Sequence, residues 1–270
     1  WRGAPSQNDE PQHKVKGKIT PRLLKLLNIE YCILKNQKDL QKLDGLITKG
    51  KKDKKVIACL IEKNILNNVT KLKKKIYSST KKYANRKIFI KHLLKSINKK
   101  TKIISTTGHT SRELMLIRNE MKLNKGQDFY MVGGMGHALS VATGMSLQSN
   151  KQIICLDGDG SLLMHLGSMF TAGFNKKIKL KHILLNNNSH ESVGGQITNA
   201  KKINFKNLST SLGYKYYYKI QKDSEIRSVL MRFLKKKGCS FLEVRVNTSL
   251  NLNLPRPKNL IRIKNAFLNQ

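Results

Sequence analysis

Apolar and polar residues follow a regular alternation over most of the chain. Short apolar runs typical of buried strands are followed by segments whose apolar side chains recur at helical spacing. Strands are predicted at 56–61, 102–106, 129–136, 214–219 and 240–246, the third running into a glycine turn. Helices are predicted directly after Pro21 and at 88–96, 110–121, 137–147, 206–212 and 224–235. This alternation predicts an α/β fold with a doubly wound parallel sheet.

Two local patterns set expectations for helix starts. Residues 1–21 are polar, show little periodicity and contain Pro5 and Pro11, so we expect a loop there. Thr110, followed three residues later by Glu113, has the form of a capping box that opens the helix of 110–121. The lysine-rich run 71–82 is typical of a solvated linker or helix face.

The most informative stretch is 153–196, which reads as a strand, a turn, a helix, a second strand and a polar loop. Gly158 and Gly160 form the turn, where a helix N-terminus and free backbone N–H groups favour phosphate. Asp159 lies between them, and Asn187 follows the next strand. Carboxylate and amide oxygens beside phosphate suit Mg²⁺. The stretch therefore predicts a Mg²⁺-bridged diphosphate at the carboxyl ends of parallel strands.

Two further turns are expected at the same edge of the sheet. Thr107 and Gly108 follow one predicted strand, and 133–136 follows another. Because the carboxyl ends of strands in a doubly wound sheet share one edge, a single ligand can contact all three turns.

The spacing also carries a resemblance to a known family. After the GDG turn, 25 residues (161–185) precede the pair Asn186-Asn187. This arrangement resembles the thiamin diphosphate signature of pyruvate-decarboxylase-type enzymes. Five strings resemble phosphonopyruvate decarboxylases over most of the chain, and the sulfopyruvate decarboxylases are closely similar: STTGHTSREL, QDFYMVGGMGHALSVATG, DGDGSLLMH, LNNNSHESVGGQ and FLEVRV.

The resemblance implies a role for each matching residue. Metal ligands would be Asp159, Asn187 and the carbonyl of Ser189. The diphosphate would be held by Thr107, Gly108, Gly158, Gly160 and Ser161. The carbonyl of Gly133 would receive the exocyclic amino group of the cofactor, and Met135 would support its bent conformation.

Two residues near these motifs leave alternatives open. His190 follows the asparagines. We interpret it either as a catalytic residue that contacts the substrate or transfers a proton, or as a structural histidine. Arg112 is placed either to pair with a diphosphate or phosphonate or to form a surface salt bridge.

The implied reaction is Mg²⁺- and thiamin diphosphate-dependent conversion of 3-phosphonopyruvate, a small anionic 2-oxo acid, to phosphonoacetaldehyde and CO₂ in phosphonate biosynthesis. Sulfopyruvate or another 2-oxo acid is the alternative substrate. The motifs separate these substrates poorly, but a WRG and DEPQH segment ahead of the diphosphate domain favours phosphonopyruvate.

The resemblance also predicts the domain organisation. Residues 1–30 would be the end of a pyrimidine-binding domain, 31–87 a connector and 88–270 the diphosphate domain. The chain starts at Trp1, and we expect the activating glutamate of such enzymes to lie outside it. A homo-oligomer with the site at a subunit interface is implied, and we expect the chain by itself to be inactive.

Charge keeps one different function class open. The chain has 53 basic and 16 acidic residues, a formal net charge of +37. We interpret the lysines, which are spread along the chain, mainly as compositional drift, with an anion-attracting surface as the alternative. A basic nucleic-acid-binding protein remains a remote hypothesis, although the few aromatic residues do not interleave with the basic ones.

Four scattered cysteines without a CxxC pair indicate a reducing, cytoplasmic setting. Neither a signal peptide nor an apolar run of about 18 residues is evident, which argues against secretion and a membrane span.

Overall fold

The computed structural model describes residues 1–5, 7–66, 82–123, 127–248 and 254–269. The chain divides into two compact units, Trp1–Lys75 and Ile76–Gln270. Within the described residues, every helix is too short or too polar to cross a membrane.

The first unit contains two helices and two strands in its described part. They are α1 (Pro11–Leu26), β1 (Glu30–Leu34), α2 (Leu40–Asp53) and β2 (Ile57–Ile61). The strands pair in parallel, with Cys32 directly opposite Cys59. The predicted strand at 56–61 is confirmed as β2, whereas β1 and α2 were not anticipated. The assignment of 1–30 and 31–87 to a domain end and a connector stays a prediction.

The loop predicted up to Pro21 is wrong, because α1 begins at Pro11 and contains Pro21. Proline is well suited to the first turn of a helix, where its missing N–H has no partner to lose. Inside the helix, Pro21 leaves the carbonyl of Gly17 without its usual donor. The indole Nε1 of Trp1 donates to that oxygen at 3.0 Å, which compensates for the lost bond.

The second unit is built on a parallel sheet with the order β4-β3-β5-β6-β8-β7 in the part of the chain that the structure describes. The strands are β3 (Lys102–Ser105), β4 (Asp128–Tyr130), β5 (Ile153–Gly158), β6 (Leu180–Asn186), β7 (Tyr216–Ile220) and β8 (Ser240–Arg245). The helices are α3 (Arg86–Ser96), α4 (His109–Glu120), α5 (Ala138–Gln148), α6 (Asp159–Met164), α7 (Ser168–Phe174), α8 (Phe205–Ser211), α9 (Ile226–Lys235) and α10 (Leu260–Leu268). The predicted doubly wound parallel sheet is confirmed.

Helices cover both faces of this sheet and form two apolar cores. Phe89 of α3 and Phe233 of α9 pack in one core, and Leu139 of α5 and Phe205 of α8 pack in the other. Neighbouring residues of β6 serve opposite cores, Ile183 the first and Leu184 the second. Burial on both faces explains why the strands of this sheet have continuous apolar runs in the sequence rather than alternating patterns.

The strand order places a crevice between β3 and β5. From β3 the chain continues to β4 on one side, whereas from β5 it continues to β6 on the other. Ligands of doubly wound sheets bind at such a reversal, outside the carboxyl ends of the strands. The topology therefore brings the loops after β3 and β5 to one potential site.

Candidate functional site

Three turns meet at this crevice through one hydroxyl group. The Oγ1 of Thr106, after β3, donates to the Oγ of Ser161 at 2.6 Å. The same Ser161 Oγ accepts the backbone N–H of Gly136, from the turn after β4, at 3.0 Å. Ser161 lies in α6, directly after the GDG turn that ends β5. The predicted proximity of the three turns is confirmed.

One cleft collects most of the residues singled out in the sequence. It is lined by Thr107, Met135, Gly158, Asp159, Gly160, Ser161, Asn187, Ser189 and His190. Among the described residues, Gly108, Gly133 and Arg112 do not line this cleft. The lining also includes Arg86, Thr106 and Glu191, of which Arg86 carried no recognisable sequence signal.

Asp159 supplies a buried carboxylate at the start of α6. Only 2% of the residue is exposed, and Thr198 Oγ1 donates to its Oδ2 at 2.5 Å. Burial raises the pKa of Asp159 above its usual range, while the bond from Thr198 and backbone N–H groups act in the opposite direction. A buried carboxylate of this kind gains stability from a nearby cation.

Asn187 and Ser189 form a tight turn after β6. The Oδ1 of Asn187 accepts the backbone N–H of Ser189 at 3.0 Å. Asn188 between them has a φ of +56°, a left-handed conformation that asparagine tolerates better than most residues. An antiparallel bridge between Ser189 and Ile197 closes the loop that follows. The turn thus fixes two of the predicted metal ligands relative to each other.

His190 lies directly over the GDG turn. A Cβ atom added at Gly160 would be 2.3 Å from the Cε1 of His190, so a larger residue at this position would require the ring of His190 to move. Gly160 therefore permits the close approach of this ring to the turn. The catalytic role of His190 stays a prediction.

Arg86 joins helix α4 to the loop after β6. Its Nε donates to Glu113 at 2.5 Å and its Nη1 to Glu191 at 2.8 Å. Burial acts to lower the pKa of Arg86, but the charges of Glu113 and Glu191 outweigh it and hold the pKa above its usual value. The buried arginine is therefore charged and ties both carboxylates in place.

The predicted capping box at Thr110 and Glu113 is wrong. Helix α4 begins one residue earlier, at His109, with Gly108 as N-cap at a φ of +105° and without a side-chain cap. Glu113 bonds Arg86 instead of the helix end. Ion pairing with a buried arginine outweighs a local cap worth about 1 kcal/mol.

A polar cluster inside the sheet supports the GDG turn from below. Asp157 Oδ1 accepts the N–H of Gly158 at 2.8 Å, and its Oδ2 lies 3.8 Å from Nε2 of His182. His182 Nδ1 contacts the hydroxyl of Tyr214 at 3.0 Å. With Cys155, the carboxylate and the imidazole bring three donor atoms within 4.8 Å in a fully buried position. The start of the turn is therefore fixed by the core of the sheet.

The described donors fit a hard cation and a diphosphate. Asp159, Asn187 and the carbonyl of Ser189 are oxygen donors, the type that Mg²⁺ prefers. Among the described residues, no cationic side chain forms an ion pair with the buried carboxylate of Asp159, which is oriented by the hydroxyl of Thr198. The hydroxyl and backbone groups around Ser161 line the adjoining cleft.

Comparisons with known proteins agree with this geometry. Residues 106–244 match the model of a family described as "Thiamine pyrophosphate enzyme, C-terminal TPP binding domain". The chain is 27% identical to phosphonopyruvate decarboxylase of Streptomyces viridochromogenes, over 96% of this chain and 67% of that protein. It is 32% identical to sulfopyruvate decarboxylase subunit beta of Methanocaldococcus jannaschii, over 48% of this chain and 68% of that protein.

Solved structures show the same fold at low sequence identity. A thiamine diphosphate-dependent 4-hydroxybenzoylformate decarboxylase of Rhodococcus jostii RHA1 superposes with a TM-score of 0.51 at 19% identity. The similarity covers 62% of this chain and 33% of that one. The chain spans about two thirds of the length of the phosphonopyruvate decarboxylases it matches.

Proposed function

The chain belongs to the thiamine pyrophosphate enzymes, with their C-terminal TPP-binding domain at residues 106–244, and we propose that it provides the metal- and diphosphate-binding half of a decarboxylase active site. The observation that carries this proposal is the meeting of three turns at Ser161, beside Asp159 and Asn187. Thiamine pyrophosphate, also called thiamin diphosphate, supplies an electron sink for the carbanion left when CO₂ departs.

The protein's own residues bind and orient. Asp159, Asn187 and the carbonyl of Ser189 would hold Mg²⁺ between them and the diphosphate. The diphosphate would be held by Thr107, Gly108, Gly158, Gly160 and Ser161. We assign the carbonyl of Gly133 to the cofactor's amino group and Met135 to the support of its bent conformation.

His190 is proposed as the residue nearest the chemistry. Its ring lies on the GDG turn, in the same cleft as Asp159 and Asn187. In this position it would hold a proton or contact the substrate, once substrate enters the cleft. Arg112 of α4, which does not line the cleft, is a less direct candidate for binding an anion.

We propose 3-phosphonopyruvate as the substrate. The similarity to phosphonopyruvate decarboxylases extends over 96% of the chain, whereas that to the sulfopyruvate decarboxylase subunit of Methanocaldococcus jannaschii extends over 48%. The product would be phosphonoacetaldehyde, in phosphonate biosynthesis in the cytoplasm. A net charge of +37 would raise the local concentration of such an anion.

Sulfopyruvate remains the second candidate, because it is also a 3-substituted pyruvate with an anionic tail. We propose that activity needs a glutamate outside residues 1–270, and that the site lies at a subunit interface of a homo-oligomer. Decarboxylation of phosphonopyruvate, sulfopyruvate and pyruvate, compared side by side in a preparation that includes this glutamate, would identify the substrate. A higher kcat/KM for sulfopyruvate would contradict the proposal.

Binding can be tested on the chain itself by thermal unfolding. Thiamin diphosphate with Mg²⁺, at 100 times the dissociation constant, should stabilise the native state by about 2.7 kcal/mol. Asp159→Ala should abolish this stabilisation, whereas Asp53→Ala, at the exposed end of α2, should retain it. An equal rise in Tm for the wild type and Asp159→Ala would contradict the proposed site.

The same samples test the nucleic-acid hypothesis. A DNA-binding protein would be retained on DNA with a steep salt dependence and without any effect of the cofactor. An affinity for DNA at physiological salt that is higher than the affinity for the cofactor would favour the nucleic-acid hypothesis.

A further inference from the structure

We propose that Glu191 is a positioning residue that turns the amide of Asn187 so that its oxygen faces the metal. This inference rests on the proposed function, in which Asn187 is a metal ligand. Asn187 Nδ2 donates to the Oε2 of Glu191 at 3.2 Å. An ionised carboxylate only accepts hydrogen bonds, so the amide edge that faces it has to be the NH₂ group. The Oδ1 of Asn187 is consequently directed to the other side.

The orientation matters because asparagine has two edges of nearly equal shape. With the amide reversed, an NH₂ group would face the cation, which it repels and cannot coordinate. The bond from the N–H of Ser189 to Oδ1 supports the same orientation at 3.0 Å. Glu191 and Ser189 thus hold the two edges of Asn187 from opposite sides before a metal binds.

Glu191 is itself held by a buried cation. Arg86 Nη1 donates to the same Oε2 atom at 2.8 Å, and the side chains of both residues are largely buried. Arg86 is fixed in turn by Glu113 of α4. His109 Nδ1 lies 3.5 Å from this oxygen as well. The carboxylate therefore has a fixed place, which a positioning residue needs.

An adjacent pair in the same chain provides a matched control. Asn186 Nδ2 donates to the Oε1 of Glu243 at 3.0 Å, the same chemistry as in the pair of Asn187 and Glu191. Asn186 ends β6 and is fully buried, and neither it nor Glu243 lines the cleft. Glu243 also accepts the hydroxyl of Tyr217 at 2.7 Å. Loss of this second pair would act on Asn186, whose Oδ1 accepts the N–H of Asn188 at 3.2 Å, and would leave the partners of the Asn187 amide in place.

The test compares Glu191→Gln with Glu243→Gln by metal binding rather than by activity. Binding of Mn²⁺ in the presence of thiamin diphosphate is measured from the electron paramagnetic resonance signal of free Mn²⁺. Glutamine keeps the size of Glu191 but loses its charge and one acceptor. We expect Glu191→Gln to weaken Mn²⁺ binding about 10- to 100-fold, in line with other residues that orient metal ligands. Glu243→Gln should retain the wild-type affinity.

A second variant covers the case in which Glu191→Gln fails to fold. Glu191→Asp keeps the charge that Arg86 requires but withdraws the carboxylate from Asn187 by one methylene group. It should also bind Mn²⁺ more weakly than the wild type. Wild-type affinity in folded Glu191→Asp, or equal affinities of Glu191→Gln and Glu243→Gln, would overturn the positioning role.

Failure of the proposed function gives a different result. If the wild type binds no Mn²⁺ with thiamin diphosphate, or if Asp159→Ala binds it equally well, the metal site itself is wrong. If Asp159→Ala abolishes binding while Glu191→Gln does not weaken it, the metal site stands and only the role of Glu191 falls.

Discussion

Among the described residues, ion pairs with both partners buried occur in the second compact unit of the chain and not in the first. In Trp1–Lys75, the side chains of Lys49 and Glu30 pair at 2.7 Å while 55% and 47% exposed. In Ile76–Gln270, the side chains of Arg86 and Glu113 are each only 6% exposed. Exposed pairs contribute little to stability, whereas breaking a buried pair leaves a charge without compensation. Breaking a buried pair of the second unit should therefore cost more stability than breaking an exposed pair of the first.

The distribution of charge extends this comparison. Six of the 16 acidic residues are buried, namely Asp39, Glu113, Asp128, Asp157, Asp159 and Glu243. Of the basic residues that the structure describes, only Arg86, Lys102, Arg118 and Lys181 are buried. The large positive charge thus resides mainly on surfaces where water solvates it. A larger share of the acidic residues than of the described basic residues is therefore buried.

The largest effect is expected from breaking the buried pair of Arg118 and Asp128. Arg118 Nη2 donates to Asp128 Oδ1 at 2.7 Å, and burial raises the pKa of Asp128 against the opposing charge of Arg118. Arg118→Met should destabilise the second unit by about 3–5 kcal/mol, because it leaves the carboxylate buried and unpaired. Hydrogen exchange of peptides from β3 and β4 measures the loss segment by segment.

The double variant Arg118→Met/Asp128→Asn is its control. Removal of the remaining charge should restore much of the lost stability. If both variants are equally destabilised, the contribution of Arg118 is packing rather than charge.

A smaller effect is expected from the ionisation of Lys181, which makes the free energy of unfolding depend on pH. Burial lowers the pKa of Lys181 to about 8. Between this value and the ordinary 10.5, the unfolded chain binds more protons than the folded one, so stability rises with pH. At about 1.4 kcal/mol per pKa unit, the upper bound from pH 8 to 10.5 is about 3.5 kcal/mol. Partial protonation at both ends of this range and solvent screening reduce the gain to on the order of 2 kcal/mol.

Urea unfolding of wild type and Lys181→Met across this pH range isolates the contribution. The difference between their free energies of unfolding should shift in favour of the wild type as pH rises. Parallel curves for the two proteins would refute a folded-state pKa near 8 for Lys181.

The smallest effect is expected at the exposed pair of the first unit. Lys49→Met should change the stability of Trp1–Lys75 by less than about 1 kcal/mol, because solvent screens both charges. The change should become smaller still in 1 M NaCl. Hydrogen exchange of β1 and β2 tests this, and a loss as large as that of Arg118→Met would remove the contrast between the two units.

Much of the second unit could be predicted from the sequence because its signals are local. The apolar runs of β3, β7 and β8 and the periodicity of α3 and α9 predicted their positions to within a few residues. Helix α10 was missed, since its place depends on contacts distant in sequence. Its Phe267 is buried, and the carbonyl of that residue accepts a bond from Lys102 at 2.8 Å. The prediction began this helix only after Pro21. It missed that α1 continues through Pro21, because Trp1 compensates for the lost hydrogen bond in a way that no local pattern reveals.

The residues of the candidate site also fall into those that local sequence patterns predicted and those that only distant contacts bring together. Asp159 and Asn187 lie in a motif with fixed spacing, so the sequence predicted that they would meet. Arg86 and Glu191 are 105 residues apart, and only folding brings them together. A buried arginine looks like any other basic residue in a chain with 53 of them. The proposed metal ligands were therefore accessible to sequence reasoning, whereas the residues proposed to hold them in place were not.

The left-handed turn at Asn188 has a consequence for the thermodynamics of binding. Its conformational entropy is lost when the chain folds, since the bond from the N–H of Ser189 to Asn187 Oδ1 and the bridge of Ser189 to Ile197 already fix the turn. A cation bound at the proposed ligands Asn187 and Ser189 would therefore not have to order them. In calorimetry, metal binding should show little of the unfavourable ordering entropy that accompanies coupled folding and binding.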